Sequence, residues 1–408
     1  MRLPCARFVF RLAMPDYDFS TLVDRSALGS AKWAAMRRAN PAVPPGIPPF
    51  SVADLDLPNA PEIIAGLKAF LDEAVLGYTR PTPAYTQAVI DWMGRRHDWR
   101  VQPEWLVQTG GVVPALCTAI RAFTAPGDGV IVQPPVYYPF YGAIQGNGRR
   151  VVRNPLLLRD GHYRMDFDGL RRLAAEPANR LLLVCSPHNP VGRVWTREEL
   201  AELADIVLAN DLLLVSDEIH FDLVLPGHRH RVIATLGEAI ARRSVICTAP
   251  SKSFNLAGMA ASNIVIEDAA LRARFARALE ADGFFFLTTL AYKACELAYT
   301  RCEAWLDGLL GLIARNQALV RAFMAERLPE VTVFDLEGTY LQWMDFRRLG
   351  KDAAQLRAIH EREALVFFDE GTLFGPEGAG FERMNLATPT AAVEAALERL
   401  ARAHRASS

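Results

Sequence analysis

The sequence predicts an α/β protein with a mostly parallel β-sheet, followed by a smaller α+β unit. Two observations carry this. From about residue 100 to 270, short apolar runs alternate with amphipathic helical stretches, the pattern of strand–helix–strand units that pair in parallel. From about residue 285 the texture changes: long helical stretches at 287–300 and 303–327 precede the strand-like runs VTVFDL and TYLQWMDF. A further helix, a strand and a C-terminal helix follow. A chain of 408 residues has room for two or three structural units.

The N-terminal stretch MRLPCARFVFRLAMP is positively charged, but Arg7 and Arg11 interrupt its apolar run, so it lacks a signal-peptide core. Residues 40–50, NPAVPPGIPPF, hold too many prolines for a helix or central strand and predict an extended crossing segment. Helical periodicity follows at 60–76. Strands are expected at 129–133, 149–153, 180–186, 211–216, 244–249 and 261–266. Runs such as LLLVC and LLLVS suit strands buried on both faces. Between them, the helix at 196–210 opens TREEL, where Thr196 caps and Glu199 completes a capping box.

Composition removes several function classes. Apolar residues make up 51% and charged residues 22%, ordinary for a soluble enzyme. The formal net charge of −1 gives no electrostatic case for nucleic acid or an anionic membrane. No apolar stretch approaches the roughly 20 residues of a membrane helix. The six cysteines form no C-x-x-C pair and no His/Cys cluster with metal-ligand spacing, so no metal is expected and a reducing cytoplasm is the expected setting.

Four segments bear chemistry, each where a strand meets a loop, the place at which open α/β sheets bind ligands. Ser251-Lys252-Ser253-Phe254-Asn255 follows the apolar run SVICTA. A lysine at the end of a buried strand is costly unless chemically used, and burial frees a nucleophilic amine; read alone, it is equally a surface-loop lysine. Val215-Ser216-Asp217-Glu218-Ile219-His220 ends an apolar run in two acids, either solvent-facing or placed beside a cationic ring. Ser186-Pro187-His188-Asn189-Pro190 offers an amide, or marks a turn. Thr109-Gly110-Gly111-Val112-Val113-Pro114 puts a glycine turn before a helix with Pro in its first turn, a geometry that holds phosphate on backbone amides and that is also common without one.

Taken together, these segments resemble the class I/II aminotransferase superfamily, pyridoxal 5′-phosphate (PLP) fold type I. Within it they are most similar to the MalY/PatB family of cystathionine β-lyases and cysteine-S-conjugate β-lyases. The matching stretches are SVADLDLP (51–58), EWLVQTGGVVPAL (104–116), PPVYYPFY (134–141), CSPHNPVGRVWTREEL (185–200), VSDEIHFDLVLPGHRH (215–230), APSKSFNLAGM (249–259), EGTYLQW (337–343) and FGPEGAGFERMNLATP (374–389). The resemblance runs from about residue 16 to 405. It implies a seven-stranded, mostly parallel sheet in a large PLP-binding domain at 51–290. A small domain at 291–408 and an N-terminal segment at 14–50 packing against it complete the layout. Residues 1–13 precede the family-like sequence and are expected to be a disordered extension, with Met14 as the alternative start.

The resemblance also assigns roles. Lys252 carries PLP as a Schiff base and acts as the proton-transfer base. Asp217 pairs with the pyridine nitrogen, Asn189 bonds the phenolic oxygen with His220 nearby, and Tyr137 stacks on the ring. Gly111, Val112 and Val113 offer amides to the phosphate, helped by Ser251. Tyr78 reaches the phosphate of the neighbouring subunit's cofactor, making a homodimer with shared active sites. Arg383 grips the α-carboxylate of an amino-acid substrate. Asn189–Pro190 is expected to be cis. The implied activity is cleavage of cystathionine or another S-substituted cysteine to thiol, pyruvate and ammonia. An aminotransferase is the alternative, and regulation by protein binding a third reading. Three features depart from the pattern or are unusual. Ala260 stands where many relatives have a phosphate-binding arginine. Phe368-Asp369-Glu370-Gly371 brings acids toward the substrate mouth. DGFFFLTTL (282–290) is either core packing or an apolar wall of the substrate pocket.

Overall fold

A computed structural model describes residues 17–406; the expectation about residues 1–13 lies outside them. The large sheet has seven strands: β1 (Leu106–Thr109), β2 (Gly129–Val132), β3 (Arg150–Arg153), β4 (Asn179–Cys185), β5 (Leu213–Asp217), β6 (Ser244–Thr248) and β7 (Ser262–Val265). Their order is β1-β7-β6-β5-β4-β2-β3, and only β7 runs against the rest. Both faces are covered. In β4, Leu181 and Leu183 face one apolar cluster, with Val130 and Val245, while Leu182 and Val184 face another, with Ile131 and Ile246. Two buried faces explain why these strands read as unbroken apolar runs rather than alternating ones.

The helices that position the site are α1 (Ala31–Ala39), α2 (Pro61–Glu73), α3 (Pro83–His97), α4 (Val112–Phe123), α5 (Arg197–Ala209), α6 (Thr289–Arg301) and α7 (Glu303–Arg327). Helix α5 opens with the expected capping box, Thr196 Oγ1 accepting from Glu199 N and the Glu199 carboxylate from Thr196 N. Helix α4 follows β1 through Gly110-Gly111; the latter has φ 134°, a conformation glycine adopts without the Cβ penalty. The proline-rich stretch 41–50 forms neither helix nor strand.

The second sheet has four antiparallel strands, β8 (Thr332–Val333), β9 (Leu341–Asp345), β10 (Asp369–Glu370) and β11 (Phe381–Asn385), in the order β8-β9-β11-β10. Trp33, Met36 and Val43 form a separate small core with Phe367, fastening α1 to this unit. Helix α6 packs on α2 and α3. Among the described residues no helix is long and apolar enough to cross a membrane, and no cluster of His, Cys, Asp and Glu has metal-binding geometry.

Between the two sheets runs a strap, residues 51–56. Its carbonyls are taken by donors from distant parts of the chain. Asn385 Nδ2 donates to Val52 O and Asp54 O, Tyr340 Oη to Ala53 O, and Lys32 Nζ to Asp54 O. Val52 N donates to Asp369 Oδ2 at 2.9 Å, which holds Val52 at φ 57°, a rare angle for a β-branched residue. The buried Lys32 pairs with Asp54 at 3.1 Å and Asp56 at 2.7 Å.

Candidate active site

The strands β1, β4, β5 and β6 all point their C-terminal ends to one edge of the sheet. Thr109, Cys185, Asp217 and Thr248 end these strands, so the four chemistry-bearing segments converge there although they span almost 150 residues of sequence. They enclose a cavity of about 200 Å³ lined by Gly110, Gly111, Val112, Val113, Tyr137, Cys185, Asn189, Asp217, His220, Ser251 and Lys252, among others. Of the site residues expected from sequence, nine lie in this lining, Arg383 stands behind Asn189 and Tyr78 lies elsewhere.

Lys252 Nζ donates to Ala53 O of the strap at 2.7 Å. Burial is the main influence on this amine and lowers its pKa to about 8, with Asp54 opposing and the Arg383 cation assisting. Asp217, the last residue of β5, accepts from Ile219 N at 3.1 Å, yet burial pushes its carboxyl up to about 7. A buried carboxyl in that condition gains most from a cationic partner such as a protonated ring nitrogen. His220 is buried and held neutral, its pKa well below the usual histidine range through burial, Lys252 and Arg383. Its Nδ1 has no hydrogen-bond partner, and its ring meets Tyr340 edge-on at 5.9 Å. The Tyr137 phenol is pushed well up by burial, so it is a donor.

In the same lining, the first turn of α4 brings the amides of Val112 and Val113, and Ser251 brings its hydroxyl. A Cβ on Gly110 would stand 3.2 Å from the Phe284 ring, so a larger residue there would have to push that ring aside by a few tenths of an ångström. Ala260 also lines the cavity, in a left-handed conformation, and contributes no cation. The lining residues at this point would offer an anion amides and a hydroxyl, and no cation. The donor set therefore fits the expected PLP: one cavity holds a carboxyl, an amine, and a helix start with its amides.

Arg383, in β11, stands behind Asn189, near enough to Lys252 and Tyr137 for its cation to act on both. Its Nη1 donates to Asn189 Oδ1 at 2.7 Å and its Nη2 to Asp369 Oδ2 at 2.5 Å, while Nε is buried without a partner. Asn189–Pro190 is cis, as expected. His188 is a loop residue: it is buried, bonds Pro135 O at 2.9 Å and packs edge-on to Trp195. Tyr78 is 95% exposed and packs on Phe286, with ring centroids 5.3 Å apart. The aromatic segment 282–290 divides: Phe284 packs under Gly110, Phe285 is exposed and Phe286 meets Tyr78, so none of the three lines this cavity. Of the acids at 369–370, Asp369 is engaged by Arg383 and Val52, and Glu370 caps Thr372. Ala53, Tyr340 and Asp54 were not singled out from sequence, because a backbone carbonyl carries no side-chain signal and the other two act through the strap.

The family profile described as "Aminotransferase class I and II" matches residues 49–400, which include the whole lining and Arg383. The chain belongs to this family. Within it, the chain is 43% identical over 353 residues to cystathionine beta-lyase PatB of Bacillus subtilis, covering 86% of this chain and 91% of that protein. It is 31% identical over 394 residues to the protein MalY of Escherichia coli, covering 96% of this chain and 99% of that one. Among solved structures, cystalysin from Treponema denticola, described as containing a pyridoxal 5′-phosphate cofactor, superposes with a TM-score of 0.95 at 48% identity. It covers 96% of this chain and 100% of its own. A PLP-bound C–S lyase from Staphylococcus hominis gives a TM-score of 0.87 at 27% identity, covering 95% and 99%. As a class I and II aminotransferase relative, the chain has the seven-stranded, mostly parallel large sheet that the resemblance implied.

Proposed function

We propose that this protein is a PLP-dependent carbon–sulfur β-lyase, cleaving cystathionine or another S-substituted cysteine to thiol, pyruvate and ammonia. The observation that carries the reading is one cavity with a depressed-pKa amine, Lys252, and a buried carboxyl, Asp217, beside amides suited to a phosphate. The C–S lyases and cystathionine β-lyase among its relatives favour this chemistry over transamination.

When bound, PLP supplies an electron sink for negative charge developing at the substrate Cα. The chain's residues do the rest. Lys252 Nζ would anchor the cofactor covalently and, once the substrate's amino group has displaced it and it is a free amine again, would take the Cα proton, a task for which a pKa near 8 is well matched. Asp217 holds a proton on the ring nitrogen. Asn189 and Tyr137 orient the ring through the phenolic oxygen and one face, and the neutral His220 stands beside them. Gly111, Val112, Val113 and Ser251 hold the phosphate. Arg383, already fixed by Asn189 and Asp369, orients the substrate carboxylate.

We read residues 51–290 as the PLP-binding domain, 291–408 as the small domain and 14–50 as the segment fastened to it. The enzyme is a homodimer of the cytoplasm with shared active sites. Supporting this, Tyr78 lies with Leu76 (65% exposed), Val75 (88%) and Phe285 (65%) in an apolar surface that a second subunit would cover. All five described cysteines are unpaired. The test is a pyruvate and thiol assay across a panel of S-substituted cysteines, with and without an α-keto acid. Stoichiometric pyruvate and thiol are expected. Turnover that requires the keto acid and releases no thiol would make the protein an aminotransferase.

A further inference from the structure

Behind the cavity wall lies a buried polar cluster that the proposed reaction does not use. Asp222 is 3% exposed. Its Oδ1 accepts from Trp92 Nε1 at 3.0 Å and from His97 Nε2 at 2.7 Å, and its Oδ2 accepts from Ser253 Oγ at 2.6 Å. Trp92 and His97 belong to α3. Asp222 stands two residues beyond His220, in the turn that begins at Asp217. Ser253 directly follows Lys252. Three segments, two of which carry the chemistry, therefore meet on one carboxylate.

A buried carboxylate is expensive unless its lone pairs are satisfied, and here three donors converge on it. Two of them, Trp92 and His97, come from a helix with no residue in the cavity lining. The His97 ring is itself fixed by stacking on Phe221, with centroids 4.1 Å apart. The third donor is the informative one. Lys252 and Asn255 reach outward to the strap, at Ala53 and Leu55, whereas Ser253 reaches inward. A serine oxygen sits one carbon from its backbone, so its bond fixes the peptide joining it to Lys252. It thereby fixes the direction in which the Lys252 side chain leaves the chain. The Ser253–Asp222 bond is charge-assisted and fully buried, the strongest class of neutral-to-ion contact available there.

We propose that Asp222 is a positioning residue for the reaction: through Ser253 it fixes the backbone from which Lys252 enters the cavity, and Trp92 and His97 hold Asp222 in place. The proposal rests on the reading that Lys252 carries PLP. The test follows the rate at which cofactor-free protein captures added PLP, seen as growth of the Lys252-dependent absorbance, together with kcat and KM. Removing one hydrogen bond to a charged group at the lysine's anchor, Ser253→Ala, is expected to slow capture about tenfold and lower kcat about tenfold, with KM changed less than about twofold. Asp222→Asn is expected to do the same. The double variant is expected to be no slower than Asp222→Asn, because Ser253→Ala acts only through the Ser253–Asp222 bond, which Asp222→Asn already weakens. Wild-type capture and kcat in Ser253→Ala, or single effects that multiply in the double variant, would overturn the proposal. Absence of any Lys252-dependent absorbance in the wild type would instead overturn the cofactor reading.

Discussion

Lys252 and Asp217 line the same cavity, and burial drives both toward neutrality. The Asp217 carboxyl titrates near 7 in the fold against an ordinary 3.8, so the folded state binds the extra proton between these values. Its stabilising contribution is complete below pH 4 and is lost as pH rises through 7. The Lys252 amine titrates near 8 against 10.5, so its contribution is complete above that value and lost as pH falls through 8. The cofactor-free protein is therefore least supported by this pair between pH 7 and 8. The urea midpoint of wild type relative to Asp217→Asn should fall steadily from pH 4 to 7; a constant difference would mean that Asp217 is ionised throughout. With cofactor, Asp217→Asn is expected to retain PLP but lose about two to four orders of magnitude in kcat, read by steady-state pyruvate release. Lys252→Ala should abolish both the yellow absorbance and the lyase activity, and absorbance that survives would identify another lysine as the anchor.

At the scale of elements, what was legible followed from local rules. Helix α7 was predicted to the residue, 303–327, because its apolar spacing is long and uninterrupted. Helix α5 announced itself through Thr196 and Glu199. Thr196→Ala should lower the unfolding free energy by about 1 kcal/mol without altering kcat, measured by denaturant titration. Strand β1 is implied only as the strand before Thr109 and gets no bounds from sequence, because LVQT is short and half-exposed, with its pairing supplied by β7 from more than 150 residues away. The expected strand at VTVFDL shrank to Thr332–Val333, the two residues that pair with β9, although the buried–exposed alternation continues through Phe334, Asp335 and Leu336. The candidate site was readable for a related reason. Each reactive residue stands at the end of an apolar run, and the parallel sheet gathers those ends. The strap was not, because its partners are main-chain carbonyls.

For the whole molecule, the exposed Tyr78 states an expectation. Sedimentation should show a dimer at working concentration. Tyr78→Phe should weaken PLP binding about ten- to a hundredfold, the value of one charge-assisted bond, while leaving the dimer intact. Unchanged affinity would place Tyr78 outside the phosphate's reach. The strap at 51–56 bears on a different matter, the order in which the molecule becomes competent during synthesis. Its carbonyls wait for Tyr340 and Asn385, 287 and up to 333 residues downstream. A ribosome-bound chain that has already released β1 to β7 still lacks Tyr340, which donates to Ala53 O, and Asn385, which holds the flanking carbonyls of Val52 and Asp54; Ala53 O is the group on which the Lys252 amine rests. The reactive amine is thus seated only after nearly the entire polypeptide has emerged, so a prematurely terminated product carries the lysine without the seat that prepares it.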